Sequence, residues 1–136
     1  YLKHHSPALI FSASPTPASV ASTLAALEIL EAEPWRIEKL LSNADKMRDG
    51  FKAMGYTVID SRTGIVPVVL GDVEKTLFFW RQLYDRGVFV NAFIPPGVPP
   101  NLSMLRTSYM ATHEDHHLDK ILEVFGEVGR NLGMIP

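Results

Sequence analysis

Apolar residues recur at helical spacing from Val20 through Leu24, Leu27 and Leu30, so the pattern predicts a helix over this stretch. Thr16 and Pro17 just before it suit an N-cap and a first helical position. Pro34 breaks the run, yet Trp35, Ile37, Leu40, Leu41, Ala44, Met47, Phe51 and Met54 carry on a second apolar stripe, predicting another helix that ends at Gly55. Tyr56 to Asp60 and Val66 to Leu70 are β-rich runs on either side of the turn-like cluster Ser61-Arg62-Thr63-Gly64. Pro67 has no N–H to give a ladder, which favours an edge position or a strand start for it. Asp72 is placed to cap a helix bearing Val73, Leu77, Trp80, Leu83 and Tyr84 and stopping at Gly87. Val88 to Ala92 reads as a short strand and Met104 to Tyr109 as another. The four prolines between Ile94 and Asn101 make the intervening stretch a rigid loop. Thr112 and Asp115 resemble a capping box ahead of a last helix with Leu118, Ile121, Leu122, Phe125, Val128 and Leu132 on one face.

Helix, helix, strand, strand, helix, strand, strand, helix is the order of an α+β fold: a small antiparallel or mixed sheet with helices packed on one face. The second face or an edge of that sheet is left for a partner domain. No repeat or internal boundary is visible, so residues 1–136 are expected to form a single domain. Trp35, Phe51, Trp80 and Phe125 fall on apolar helical stripes and are assigned to the core.

Composition narrows the function classes. With 136 residues, 46% of them hydrophobic, the chain can bury one sizeable core. A net charge of −2 with acidic and basic residues nearly balanced argues against nucleic-acid or anionic-membrane partners. The absence of cysteine excludes disulfides and thiolate metal sites and fits the cytoplasm. No apolar run approaches the ~20 residues that span a bilayer, and no signal-like segment opens the chain. Starting at Tyr1, with Leu2 and Lys3 at once behind it, the sequence is expected to be cut from something longer.

Three groups of residues invite chemistry. Strand alternation puts Arg106 on the same face as Met104 and Ser108, where a guanidinium can grip a carboxylate through two parallel hydrogen bonds or simply face solvent. Phe11-Ser12-Ala13-Ser14 lies just ahead of the first long helix, so its hydroxyls and N–H groups suit an anion such as phosphate, or an ordinary cap. His113 and His117 are four apart, with His116 beside them, but further ligands and an HExxH-type signature are missing; a solvated helix start is the preferred reading, and no metal site is assigned. P-loop, GxSxG and GxGxxG patterns are absent. From residues alone, the chain is an α+β domain, with a small-anion-binding regulatory module as one of its possible functions.

Four stretches in order resemble the α-oxoamine synthases, a family of pyridoxal-phosphate (PLP) enzymes of the aminotransferase class I/II type. They are Ile10-Phe11-Ser12-Ala13-Ser14 with Pro17 and the Ala-rich helix behind it; Ile65-Val66-Pro67-Val68; Gly87-Val88-Phe89-Val90-Asn91 leading to Ile94-Pro95-Pro96; and Leu105-Arg106-Thr107-Ser108 through Ala111-Thr112-His113. The resemblance implies the C-terminal small domain of a homodimeric acyltransferase that uses PLP to join serine, glycine or alanine to an acyl-CoA. It further implies that Arg106 binds the substrate α-carboxylate and that Ser12 with Phe11 contacts the PLP phosphate. None of Lys3, Lys39, Lys46, Lys52, Lys75 or Lys120 lies in the family's lysine motif. The catalytic lysine is therefore expected upstream, and these residues by themselves are expected to be inactive.

Overall fold

Two four-residue helices, α1 (Leu2–His5) and α2 (Pro7–Ile10), precede the 16-residue α3 (Pro17–Ala32) in the computed structural model, which describes residues 1–136. The Thr16 hydroxyl accepts the Ser19 N–H at 3.3 Å and Pro17 takes the first helical position, so α3 starts where its sequence says. It ends at Ala32, ahead of Pro34. None of the residues of these three helices is buried, and Val20, Leu24, Leu27 and Leu30 stay exposed. The chain separates into two compact units, residues 1–34 and 35–136.

The second unit consists of α4 (Trp35–Ala53), β1 (Thr57–Val58), β2 (Ile65–Gly71), α5 (Val73–Asp85), β3 (Asn91–Phe93), β4 (Ser103–Ser108) and α6 (Asp115–Asn131). Its four strands form one antiparallel sheet in the order β1-β2-β4-β3. Strand alternation sends Val66 and Val68 of β2 and Leu105 and Thr107 of β4 to one face, where all are buried. Helices α4, α5 and α6 supply the rest of that core, with Met47, Phe51, Phe79, Leu83, Leu118 and Phe125 each wholly enclosed. Phe51, Tyr56, Phe79 and Phe125 meet there with ring centroids 4.7–6.1 Å apart. Such pairs add about 0.5–1.5 kcal/mol each beyond the area they bury. The α+β arrangement with helices on one face is thus the one the hydrophobic pattern implies.

Helices α4, α5 and α6 stop by the same device. Gly55, Gly87 and Gly133 have positive φ, and the N–H groups of each glycine and of its successor turn back to the helix's last carbonyls, as in Tyr56 N–H to Phe51 O at 3.0 Å. Another glycine serves packing: a Cβ at Gly129 would stand 2.0 Å from Tyr56 Oη, whose proton goes to the Phe125 carbonyl at 2.7 Å.

Several expectations are corrected. Pro67 lies inside β2, an interior strand, not at an edge or a strand start. Its carbonyl accepts from Ile59 N–H at 3.2 Å on the β1 side, just past the two-residue β1 ladder, so its missing N–H removes no rung to β4. The third strand begins at Asn91, three residues later than Val88. Val88 and Val90 are buried, but only Asn91 to Phe93 pair with β4. The last helix starts with Glu114 as its N-cap, whose N–H donates to His117 Nδ1 at 3.1 Å, in place of a box made by Thr112 and Asp115. Trp35 is 51% exposed and carries the Arg36 guanidinium 4.7 Å above its ring, outside the core assigned to it.

Candidate functional site

Arg106 sits at the middle of β4, opposite Pro67 of β2 on one side and Asn91 of β3 on the other. Ser103, Leu105 and Thr107 point into the core, so Met104, Arg106 and Ser108 share the face that no helix of this unit covers, as alternation requires. Its neighbours on that face are Val69 and Phe93, which flank Met104, and Ile65, opposite Ser108. The side chain is half-buried. Its Nε is sealed off without a hydrogen-bond partner, and none of the ion pairs of the chain includes it. Its Cζ lies 5.2 Å from the Phe93 ring centroid. A permanently charged, partly desolvated guanidinium with no internal counter-ion can take up an external anion, and its planar fork matches a carboxylate.

The loop from Ile94 to Asn101 holds this face from one end. It contains a cis Pro95–Pro96 bond and turns at Gly97 N–H to Ile94 O and Leu102 N–H to Pro99 O, 3.0 and 3.1 Å. Asn101 has a φ of 66°, a left-handed conformation that asparagine tolerates. From there the chain enters β4 at Ser103.

A separate cleft of ≈ 420 Å³ opens beyond the end of β4, lined by Val88, Phe89, Tyr109, His113, His117 and Lys120 among others, but not by Arg106. Its histidines work on the backbone. His113 Nδ1 accepts Met110 N–H at 3.2 Å, and His117 Nδ1 accepts Glu114 N–H at 3.1 Å. Burial, and secondarily the nearby His117, lowers the His113 pKa from its ordinary 6.5. The Tyr109 hydroxyl is buried with no partner at hydrogen-bonding geometry; burial raises its pKa, an effect that the neighbouring Thr107 hydroxyl partly offsets. Asn43, buried in α4, donates to the carbonyls of Met110 and His113 at 2.9 and 3.0 Å and pins this segment. Sequence reasoning missed Asn43, although a lone amide inside the stripe Leu40, Leu41, Ala44, Met47 is itself a signal of a buried polar anchor.

In the first unit, Phe11 follows α2 as its C-cap and is 82% exposed. Ser12 N–H reaches Leu9 O at 3.4 Å, and its hydroxyl is exposed with no side-chain bond. Ser12 is not the cap of α3, which is Thr16; it stands four residues earlier in the connecting segment. The free Ser12 hydroxyl can donate a hydrogen bond to an oxyanion such as a phosphate.

The family model for aminotransferases of class I and II matches residues 1–125, and the chain belongs to that family. Among curated relatives, the serine palmitoyltransferase of Bacteriovorax stolpii is 39% identical over 127 residues, covering 93% of this chain and 30% of its own length. The 8-amino-7-oxononanoate synthase of Thermoanaerobacter pseudethanolicus is 35% identical over 135 residues, covering 99% of this chain and 34% of its own. A solved structure of SPT with PLP superimposes with a TM-score of 0.86 at 32% identity, over 98% of this chain and 34% of that one. The chain spans about a third of the length of the relatives it matches.

Proposed function

We propose that residues 1–136 are the C-terminal small domain of a larger, homodimeric, cytoplasmic enzyme that uses PLP to condense an amino acid with an acyl-CoA, in the manner of the serine palmitoyltransferases. In this reading the bound PLP, held by a lysine outside these residues, supplies an electron sink next to the amino acid's α-carbon. Arg106 grips the α-carboxylate and fixes the orientation of the bonds around that carbon, a positioning role in which a small displacement is costly. Phe11 and Ser12 contact the PLP phosphate. The α-carbon would give up its proton and bond to the acyl carbon as the C–S bond breaks and the CoA thiolate leaves; with serine or alanine the bond to the carboxylate would then break to release CO₂, and a proton would take its place on the α-carbon.

The observation that carries the proposal is the unpaired, half-buried Arg106 on the open face of the sheet, in a chain similar to serine palmitoyltransferases over nearly all its length. No helix is long and apolar enough to cross a membrane, which is compatible with the cytoplasm. The similarity to 8-amino-7-oxononanoate synthases keeps that activity, and that of 2-amino-3-ketobutyrate CoA ligase, as the second reading.

The test is turnover by the full-length protein with serine, glycine and alanine against short and long acyl-CoAs. Release of CoA with serine and a long-chain acyl-CoA is expected, and residues 1–136 alone should release none. Preference for alanine or glycine with a short acyl-CoA would favour the second reading. Absence of CoA release with every pair would overturn both and leave a non-catalytic anion-binding module.

A further inference from the structure

We infer that Phe93 is a positioning residue for Arg106: its ring holds the guanidinium so that only the terminal nitrogens face an incoming carboxylate. The inference rests on the carboxylate-binding reading of Arg106 and adds to it the residue that sets the geometry.

Phe93 lies on β3 opposite Met104, two pairs along the ladder from the Asn91–Arg106 pair, so both side chains project from the same sheet face. The Arg106 Cζ is 5.2 Å from the ring centroid, inside the ≈ 6 Å within which an aromatic quadrupole attracts a cation. No carboxylate or carbonyl of the chain competes for the group. Nε is buried without a partner, whereas neither terminal nitrogen is sealed in this way or bonded within the chain. A carboxylate therefore meets the Nη1–Nη2 edge end-on and not the Nε side. A long, flexible arginine side chain without an ion pair samples many rotamers in solvent, and ordering it costs binding energy. The ring removes part of that freedom before the ligand arrives. It does so without a negative charge, which would itself occupy the guanidinium. The backbone behind Phe93 is stiff, because β3 runs directly into the turn at Ile94 and the proline pair.

The experiment is equilibrium binding to the full-length, PLP-loaded protein of L-serine and of ethanolamine, the same amine without the carboxylate. It uses the wild type, Phe93→Leu, Phe93→Tyr, Arg106→Ala, and the double variant Phe93→Leu/Arg106→Ala. Phe93→Leu should weaken serine binding roughly three- to thirty-fold, the range of a cation–π contact, and leave ethanolamine unchanged. Phe93→Tyr, which keeps the ring, should bind serine like the wild type. In the Arg106→Ala background, Phe93→Leu should add nothing. If Phe93→Leu does not fold, Phe93→Met takes its place. Unchanged serine affinity in Phe93→Leu beside a weakened Arg106→Ala overturns the inference alone. An equal loss for ethanolamine, or a loss that persists without Arg106, overturns it in favour of general packing. Serine affinity unaffected by Arg106→Ala overturns the carboxylate reading and this inference with it.

Discussion

Trp80 Nε1 donates to the carbonyl of Val90 at 2.9 Å, and this bond ties α5 to the segment that becomes β3 one residue later. Through β3 it fixes Asn91 and Phe93, the β3 residues beside Arg106 on the open face. Trp80→Phe keeps the ring and removes the donor, leaving a half-enclosed carbonyl unpaired. The expected result is a loss of about 1–3 kcal/mol in denaturant unfolding, together with faster amide exchange from Val88 to Phe93. Unchanged stability and exchange would show that the bond does not hold this segment.

Asn43 donates to the carbonyls of Met110 and His113, the first of which also accepts the His113 N–H at 3.2 Å. Asn43→Asp keeps the size but sets a carboxylate against two carbonyl oxygens in a buried site. It should therefore destabilise more than Asn43→Ala, whose cost is about 1–3 kcal/mol, chiefly for the His113 carbonyl left without a donor. Chemical unfolding of both variants tests the order. Asp equal to or better than Ala would mean that the amide hydrogens are not what matters.

His113 has a lowered pKa, through burial first and His117 second, and its Nδ1 accepts a backbone N–H only when unprotonated. The folded state therefore binds this proton less readily than the unfolded chain. Its contribution to stability is complete above the unfolded value near 6.5 and is lost as pH falls through the lower folded value. Stability measured from pH 8 down to pH 5 should fall, and His113→Asn should flatten that part of the curve. A slope equal to wild type in the variant would assign the titration to another group.

Much of this was legible in the chain, for reasons that differ by residue. Gly55 and Gly87 mark helix ends because the left-handed cap favours glycine, and Thr16 and Asp72 mark starts because their oxygens take orphan N–H groups. The face shared by Met104, Arg106 and Ser108 follows from a period of two and needs no tertiary information. The neighbours of Arg106 do need it. That β4 sits between β2 and β3, and so brings Phe93 and Pro67 beside Arg106, depends on pairings distant in sequence that no local pattern encodes. The third strand was read too early for a related reason. Val88 and Val90 alternate like strand residues, yet they are buried before the backbone reaches β4. The Glu114–His117 cap escaped notice because a histidine in the reciprocal position departs from the usual Glu or Gln.

The most direct measurement is the affinity of the full-length protein, loaded with PLP, for its amino-acid substrate with and without the Arg106 guanidinium. Arg106→Ala should weaken amino-acid binding by roughly 2–5 kcal/mol, the range for truncating one partner of a buried charge pair, with the fold and PLP content unchanged. An amino-acid affinity equal to the wild type would contradict the account.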